Sequence, residues 1–227
     1  MTDRVSGPGQ AAGTLRRMAT LLLVRHGHTD AAGKRLTGWA AGVHLNETGR
    51  QQAAHLIERL GGIRLDAIYS SPLERCRETA APLAKARRLS VHIRRRLIET
   101  GYGEWTGRSI AQVRKTKLWR TVERVPSAMR FPGGESLLEV QARAVDEVNR
   151  IAQDHPKGVV VVVSHADPIR LVIAQVAGAD VDHLHRLVVD TCSITAVAVD
   201  DAVPRLLKVN DTGDLAGLRS RSRKVGG

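Results

Sequence analysis

Five consecutive valines, residues 159–163, constrain the fold more than any other stretch of this chain. An unbroken β-branched run of that length reads as a strand buried on both faces, and such strands belong to parallel sheets covered by helices on each side. A second apolar run, Leu21-Leu22-Leu23-Val24, has the same character. Each run ends in histidine: Arg25-His26-Gly27 follows the first in chain order and Ser164-His165-Ala166 the second. In open α/β sheets, ligands bind beyond the carboxyl ends of the strands. If the two strands are parallel neighbours, the two imidazoles face each other across one crevice.

The residue types at those strand ends point to an anion. Arg25 offers a planar fork of donors suited to phosphate. His26 can attack as a nucleophile and titrates near neutral pH. Gly27 permits a tight turn or close approach of a ligand to the backbone. Two histidines without a third ligand at metal-like spacing do not read as a zinc site, and the flanking arginines favour an anion. A third element supports this. Asp66-Ala67-Ile68-Tyr69 reads as a short strand, and Ser71-Pro72 as the cap and first position of a helix spanning 72–88. Arg75 then falls in the first turn, where a cation opposes the helix dipole unless an anion sits nearby. Arg77 lies about 200° further round and reads as a solvated charge. Asp167 reads as the cap of a helix opening at Pro168.

Taken together these motifs resemble the histidine phosphatase superfamily, the phosphoglycerate-mutase-like enzymes, over roughly residues 20–214. Arg25-His26-Gly27 is similar to the family signature, and the block from Ser71 through Arg75 to Ala80 to its second phosphate-binding segment. Leu97-Ile98-Glu99-Thr100-Gly101-Tyr102-Gly103-Glu104 is similar to the acid-bearing segment. Ser164-His165-Ala166 is similar to the second-histidine motif, with Ala166 where glycine is usual. The resemblance implies an α/β three-layer sandwich, with a mostly parallel sheet between helices. It implies that His26 carries the phosphoryl group and that Arg25, Arg75 and His165 hold its oxygens. Glu99 would serve as general acid and base, with Glu104 as the nearby alternative. It also implies a substrate-facing loop at Thr37 and Gly38, with Gly27 and Ala166 beside the substrate, and neither metal nor cofactor.

One position departs from the family pattern. Where asparagine commonly stands six residues after the nucleophile, this chain has Ala32. The interval from Glu99 to His165, 66 residues, is short for a true mutase, and Phe131-Pro132-Gly133-Gly134-Glu135-Ser136 resembles the phosphatase branch. The expected activity is hydrolysis of a small phosphomonoester. A phosphomutase is the related alternative, and a non-catalytic phosphate-binding scaffold the alternative of another class.

Composition sets the remaining bounds. The 227 residues suit one domain over 19–217, with a Gly/Pro/Ala-rich arm (1–18) and a basic tail (218–227) expected to be disordered. The formal net charge of +12 invites a nucleic-acid reading, but the basic residues are scattered and aromatics make up only 3%, so stacking platforms are missing. No apolar run is long enough to span a membrane, and the first 19 residues lack a signal-peptide core. Cys76 and Cys192, outside any metal or CxxC spacing, fit a reduced cytoplasm. The expected state is monomer or homodimer. Helices are read over 46–60, 109–125 and 136–154, the last opened by the capping box Ser136-Leu137-Leu138-Glu139. Short strands are read over 91–93, 194–199 and 205–209.

Overall fold

A computed structural model describes residues 18–200 and 203–213. Apart from Met18, the arm read over 1–18 lies outside the described residues, as does the tail read over 218–227. Six strands form one sheet: β1 (Ala19–Arg25), β2 (Ala67–Ser70), β3 (Val91–Ile93), β4 (Val159–Ser164), β5 (Ile194–Val199) and β6 (Arg205–Asp211), in the order β3-β2-β4-β1-β5-β6. The valine strand β4 lies between β1 and β2 and pairs parallel with both, and β2 pairs parallel with β3. Only β5 runs against its neighbours β1 and β6. The expected three-layer α/β architecture is the one observed.

Strand alternation builds two cores. Leu21, Leu23, Tyr69, Val160 and Val162 face one side, where they meet α5 (Leu137–Asp154) and α6 (Ala166–Ala177). Leu22, Val24, Ile68, Val161 and Val163 face the other, against α1 (Glu47–Arg59) and α2 (Glu74–Arg87). Successive side chains of a strand point to opposite faces, so a strand covered on both sides must be apolar throughout. A third cluster, with Trp105, Val122, Phe131 and Leu184, closes over the carboxyl end of the sheet. It includes the short helices α3 (Ile110–Val113) and α4 (Trp119–Arg124).

Local signals placed several elements correctly. The side chain of Asn46 caps α1 through the Gly49 N–H, and Ser136 and Glu139 form the reciprocal capping box of α5. Three readings need correction. First, α2 begins at Glu74 rather than Pro72, because Ser71 Oγ is engaged 2.8 Å from His165 Nε2 and does not cap the helix. Second, α6 begins at Ala166 with His165 in the cap position, so Asp167 sits inside the first turn. Third, the helix read over 109–125 is broken. Ser109 and Gln112 form a capping box for α3, but the Thr116 hydroxyl donates to the Val113 carbonyl at 2.7 Å, and α4 starts afresh at Trp119.

Candidate active site

The parallel register of β1 on β4 pairs Arg25 with Ser164 and so delivers His26 and His165 side by side. The His26 N–H donates to the Ser164 carbonyl at 2.9 Å, and the two imidazole rings lie 5.3 Å apart at 64°. His26 Nδ1 is 2.8 Å from the Gly27 carbonyl, an acceptor only, so Nδ1 carries the proton and Nε2 keeps its lone pair. Burial, with the Arg75 and Arg25 guanidinium groups nearby, holds His26 at about 3, so the ring is neutral through the physiological range. Burial and Arg75 also push His165 well down.

Arg75 is 1% exposed. One of its terminal nitrogens donates to the Gly38 carbonyl at 2.8 Å, while Nε and Nη1 have no partner among the described residues. Arg25 donates to the Val189 carbonyl at 2.7 Å, and its Nε is likewise buried without a partner. A buried guanidinium with unsatisfied donors is costly, and an oxyanion would repay that cost. Arg77 is exposed, as its helical phase requires.

Gly27 plays a different part from the one expected. A Cβ there would lie 2.6 Å from the Gly49 carbonyl oxygen, and one on Gly49 would lie 2.1 Å from the His28 oxygen. The loop after β1 therefore rests directly on the first turn of α1, and the close approach Gly27 allows is to protein backbone. Its N–H is taken by Thr79 Oγ1 at 2.9 Å, and that hydroxyl donates to the Arg75 carbonyl. Gly49→Ala should destabilise the fold by about 2–3 kcal/mol through overpacking, read as a lower denaturant midpoint. An unchanged midpoint would show that the two backbones are not held this close.

Glu99 and Glu104 have separate environments. Glu99 is buried, its Oε1 accepts from the Thr100 N–H at 2.9 Å, and it lines the cavity beside His26. Burial, then the neighbouring Asp167 carboxylate, lifts it to about 7. Glu104 is exposed and does not line that cavity. The cavity holds about 450 Å³ and is also lined by Arg25, Thr37, Ala32 and Ala166. Gly38, Gly27, Arg75 and His165 stand outside its lining; Arg75 and His165 are fully buried, and His165 packs against the His26 ring. Ala32 brings no polar side chain to the wall it forms. Among the described residues, no group of three or more His, Cys, Asp or Glu side chains is placed to hold a metal ion.

Comparison with known proteins settles the family. A profile of the histidine phosphatase superfamily, branch 1, matches residues 21–212. The chain belongs to that superfamily. Among relatives, phosphoserine phosphatase 1 of Hydrogenobacter thermophilus is 32% identical over 211 residues, covering 92% of this chain and 100% of that protein. A bifunctional protein of Mycobacterium tuberculosis is 35% identical over 94% of this chain, which spans 59% of its length. Among solved structures, mycobacterial glucosyl-3-phosphoglycerate phosphatase superposes with a TM-score of 0.76 at 30% identity, covering 86% of this chain and 100% of that one. The protein is a phosphatase of the histidine phosphatase superfamily.

Several residues that shape this phosphatase's site were given no site role by the sequence. Arg143 grips Glu135 with two nitrogens, at 2.7 and 2.9 Å, and donates to the Ile98 and Glu99 carbonyls. Trp39 Nε1 donates to the same Glu99 carbonyl at 2.6 Å. Asp167 accepts from the Tyr102 hydroxyl at 2.8 Å and pairs with Arg170. Arg143 lies outside every segment the sequence had marked by motif or cap, whereas Tyr102, Glu135 and Asp167, like Ser71 and Thr79, fall within marked segments without a site role having been assigned to them. No described helix is long and apolar enough to cross a membrane.

Proposed function

We propose that this phosphatase hydrolyses phosphomonoesters of small metabolites through a phosphohistidine on His26. The observation that carries the reading is a neutral imidazole whose Nδ1–H is tied to Gly27, packed beside buried guanidinium groups with unsatisfied donors. In the first step His26 Nε2 attacks phosphorus in line, the N–P bond forms and the P–O bond to the alcohol breaks. Protonated Glu99 gives its proton to the leaving oxygen. Arg25, Arg75 and His165 bind the equatorial oxygens, and losing one such donor typically costs about 10²–10³-fold in rate. In the second step Glu99 takes a proton from water, whose oxygen bonds to phosphorus as the N–P bond breaks. Inorganic phosphate leaves, and Glu99 is again protonated.

Two relatives are named for small phosphorylated substrates, phosphoserine and glucosyl-3-phosphoglycerate, which supports a metabolite substrate. Both cysteines are buried free thiols, which fits a reducing, cytoplasmic setting. The electrophilic work is assigned to arginine and histidine, so turnover of p-nitrophenyl phosphate should persist in EDTA. Loss on chelation with recovery on adding Mg²⁺ or Zn²⁺ would overturn the mechanism.

A further inference from the structure

Glu99 lies in neither helix nor strand, so no backbone ladder fixes its place. Side chains do so instead. Arg143, on α5, commits all five of its N–H donors: Nε to Glu135 Oε1 at 2.7 Å, Nη1 to the Arg96 and Ile98 carbonyls at 2.9 and 2.7 Å, and Nη2 to the Glu99 carbonyl and Glu135 Oε2 at 2.8 and 2.9 Å. No N–H of Arg143 is left over for a ligand. Glu135 Oε2 also accepts from the Gly101 N–H at 2.8 Å, so the pair grips the chain on both flanks of Glu99. We propose that Arg143, Glu135 and Trp39 are positioning residues of the proton-transfer step: they aim the Glu99 carboxyl at the leaving oxygen and take no part in holding the phosphoryl group. The inference rests on the phosphatase reading above, with Glu99 as its acid.

Two frames meet at one carbonyl. The Glu99 carbonyl oxygen accepts from Arg143 Nη2 at 2.8 Å and from Trp39 Nε1 at 2.6 Å, which fills both of its lone pairs. The first bond ties the acid to α5. The second ties it to the phosphate end, because Gly38, one residue before Trp39, accepts from Arg75 at 2.8 Å. The general acid and the arginine that faces the phosphoryl oxygens are thus referenced to each other through a two-residue strap. A bidentate guanidinium–carboxylate pair is planar and rigid, which a lysine ammonium cannot reproduce.

The segment Phe131-Pro132-Gly133-Gly134-Glu135-Ser136 gains a role from this arrangement. Its backbone lies along the acid-bearing segment: the Glu135 N–H donates to the Gly101 carbonyl at 2.9 Å and the Glu104 N–H to the Pro132 carbonyl at 2.8 Å. A Cβ on Gly134 would lie 2.1 Å from the Gly101 oxygen, so only glycine allows the two chains to touch there. A Cβ on Gly101 would lie 3.0 Å from the Trp39 ring and 3.3 Å from Glu135 Cγ, so the clamp closes over a residue without a side chain. Such precision bears on rate, since misplacing a reacting group by about 1 Å costs on the order of 10²-fold.

The test compares kcat/KM for glycerol 3-phosphate, whose alkoxide must be protonated, with that for p-nitrophenyl phosphate, whose leaving group departs largely without a proton. This constant covers only the steps up to release of the alcohol, so breakdown of the phosphohistidine drops out. Glu135→Gln and Arg143→Lys should lower it by about 10–100-fold on glycerol 3-phosphate and much less on the nitrophenyl ester. Inhibition by inorganic phosphate should be unchanged. Trp39→Phe removes one donor from a side chain that is 45% exposed, and should give the same pattern at about 2–10-fold, the worth of one hydrogen bond. Both esters are measured on one preparation, so partial misfolding cancels from their ratio; should the first two variants fail to fold, the ratio in Trp39→Phe decides. Equal losses on the two esters, weakened phosphate inhibition with the ratio intact, or unaltered kinetics overturn the inference. Glu99→Gln, run alongside, separates the two readings. A leaving-group-dependent defect there that the other variants lack sinks only this inference, whereas its absence in Glu99→Gln removes the acid and the inference with it.

Discussion

His26→Ala should lower turnover by roughly 10⁴–10⁶-fold, the scale expected when a covalent nucleophile is deleted. The same change should abolish a phosphoenzyme that the wild type forms. ³²P from a labelled ester, trapped by rapid quench, should appear as an adduct that is labile in acid and stable in base, as a phosphoramidate is. The expectation follows from one hydrogen bond. Nδ1–H is fixed on the Gly27 carbonyl, so Nε2 is the nitrogen with a lone pair to offer. Burial and the adjoining guanidinium groups hold the ring at about 3, so it stays neutral through the usual assay range and puts no acid limb near neutral pH. Full label in His26→Ala would move the nucleophile elsewhere.

Glu99→Gln should slow hydrolysis of an alkyl phosphate by about 10²–10⁴-fold, the usual span for general acid catalysis. Loss on p-nitrophenyl phosphate should be smaller, since that leaving group departs largely without a proton. If breakdown of the phosphohistidine limits the rate, both esters suffer equally and burst kinetics reveal it. The pH profile gives an independent reading. Glu99 is raised to about 7, above its ordinary value, so it holds its proton below that pH and loses it as pH rises through it. The kcat/KM for an alkyl phosphate should therefore fall on the alkaline side of about pH 7, tenfold per unit. Glu99→Gln should erase that limb. Glu104→Gln should leave the profile unmoved, because Glu104 is exposed and outside the cavity. A large, leaving-group-dependent defect in Glu104→Gln would transfer the acid to that residue.

Much of this molecule is legible in its sequence, and the reason is range. The valine run and the Ser136–Glu139 capping box each act through neighbours one to four residues away, so their pattern is written in consecutive letters. Two apolar strands ending in histidine implied a shared edge once the strands were taken as parallel neighbours, and β1 and β4 are such neighbours. The helix starts at Ser71 and Asp167 were misread for the complementary reason. Both residues carry the right side chain for a cap, but Ser71 is drawn to His165, 94 residues away, and Asp167 to Tyr102, 65 residues away.

By itself, then, the sequence determined the layered α/β class, the strands that carry the two histidines, and the identity of the basic and acidic groups at their ends. Tertiary structure alone decided the chemistry of those groups. It seats Gly27 on Gly49, ties Thr79 to the loop of His26, leaves Arg75 buried with unsatisfied donors, and sets Glu99 beside Asp167. A hydrogen bond between residues far apart in the chain leaves no periodic trace along it. The pKa of a carboxyl or an imidazole depends on desolvation and on charges brought near by folding, and neither exists until the chain has closed around them.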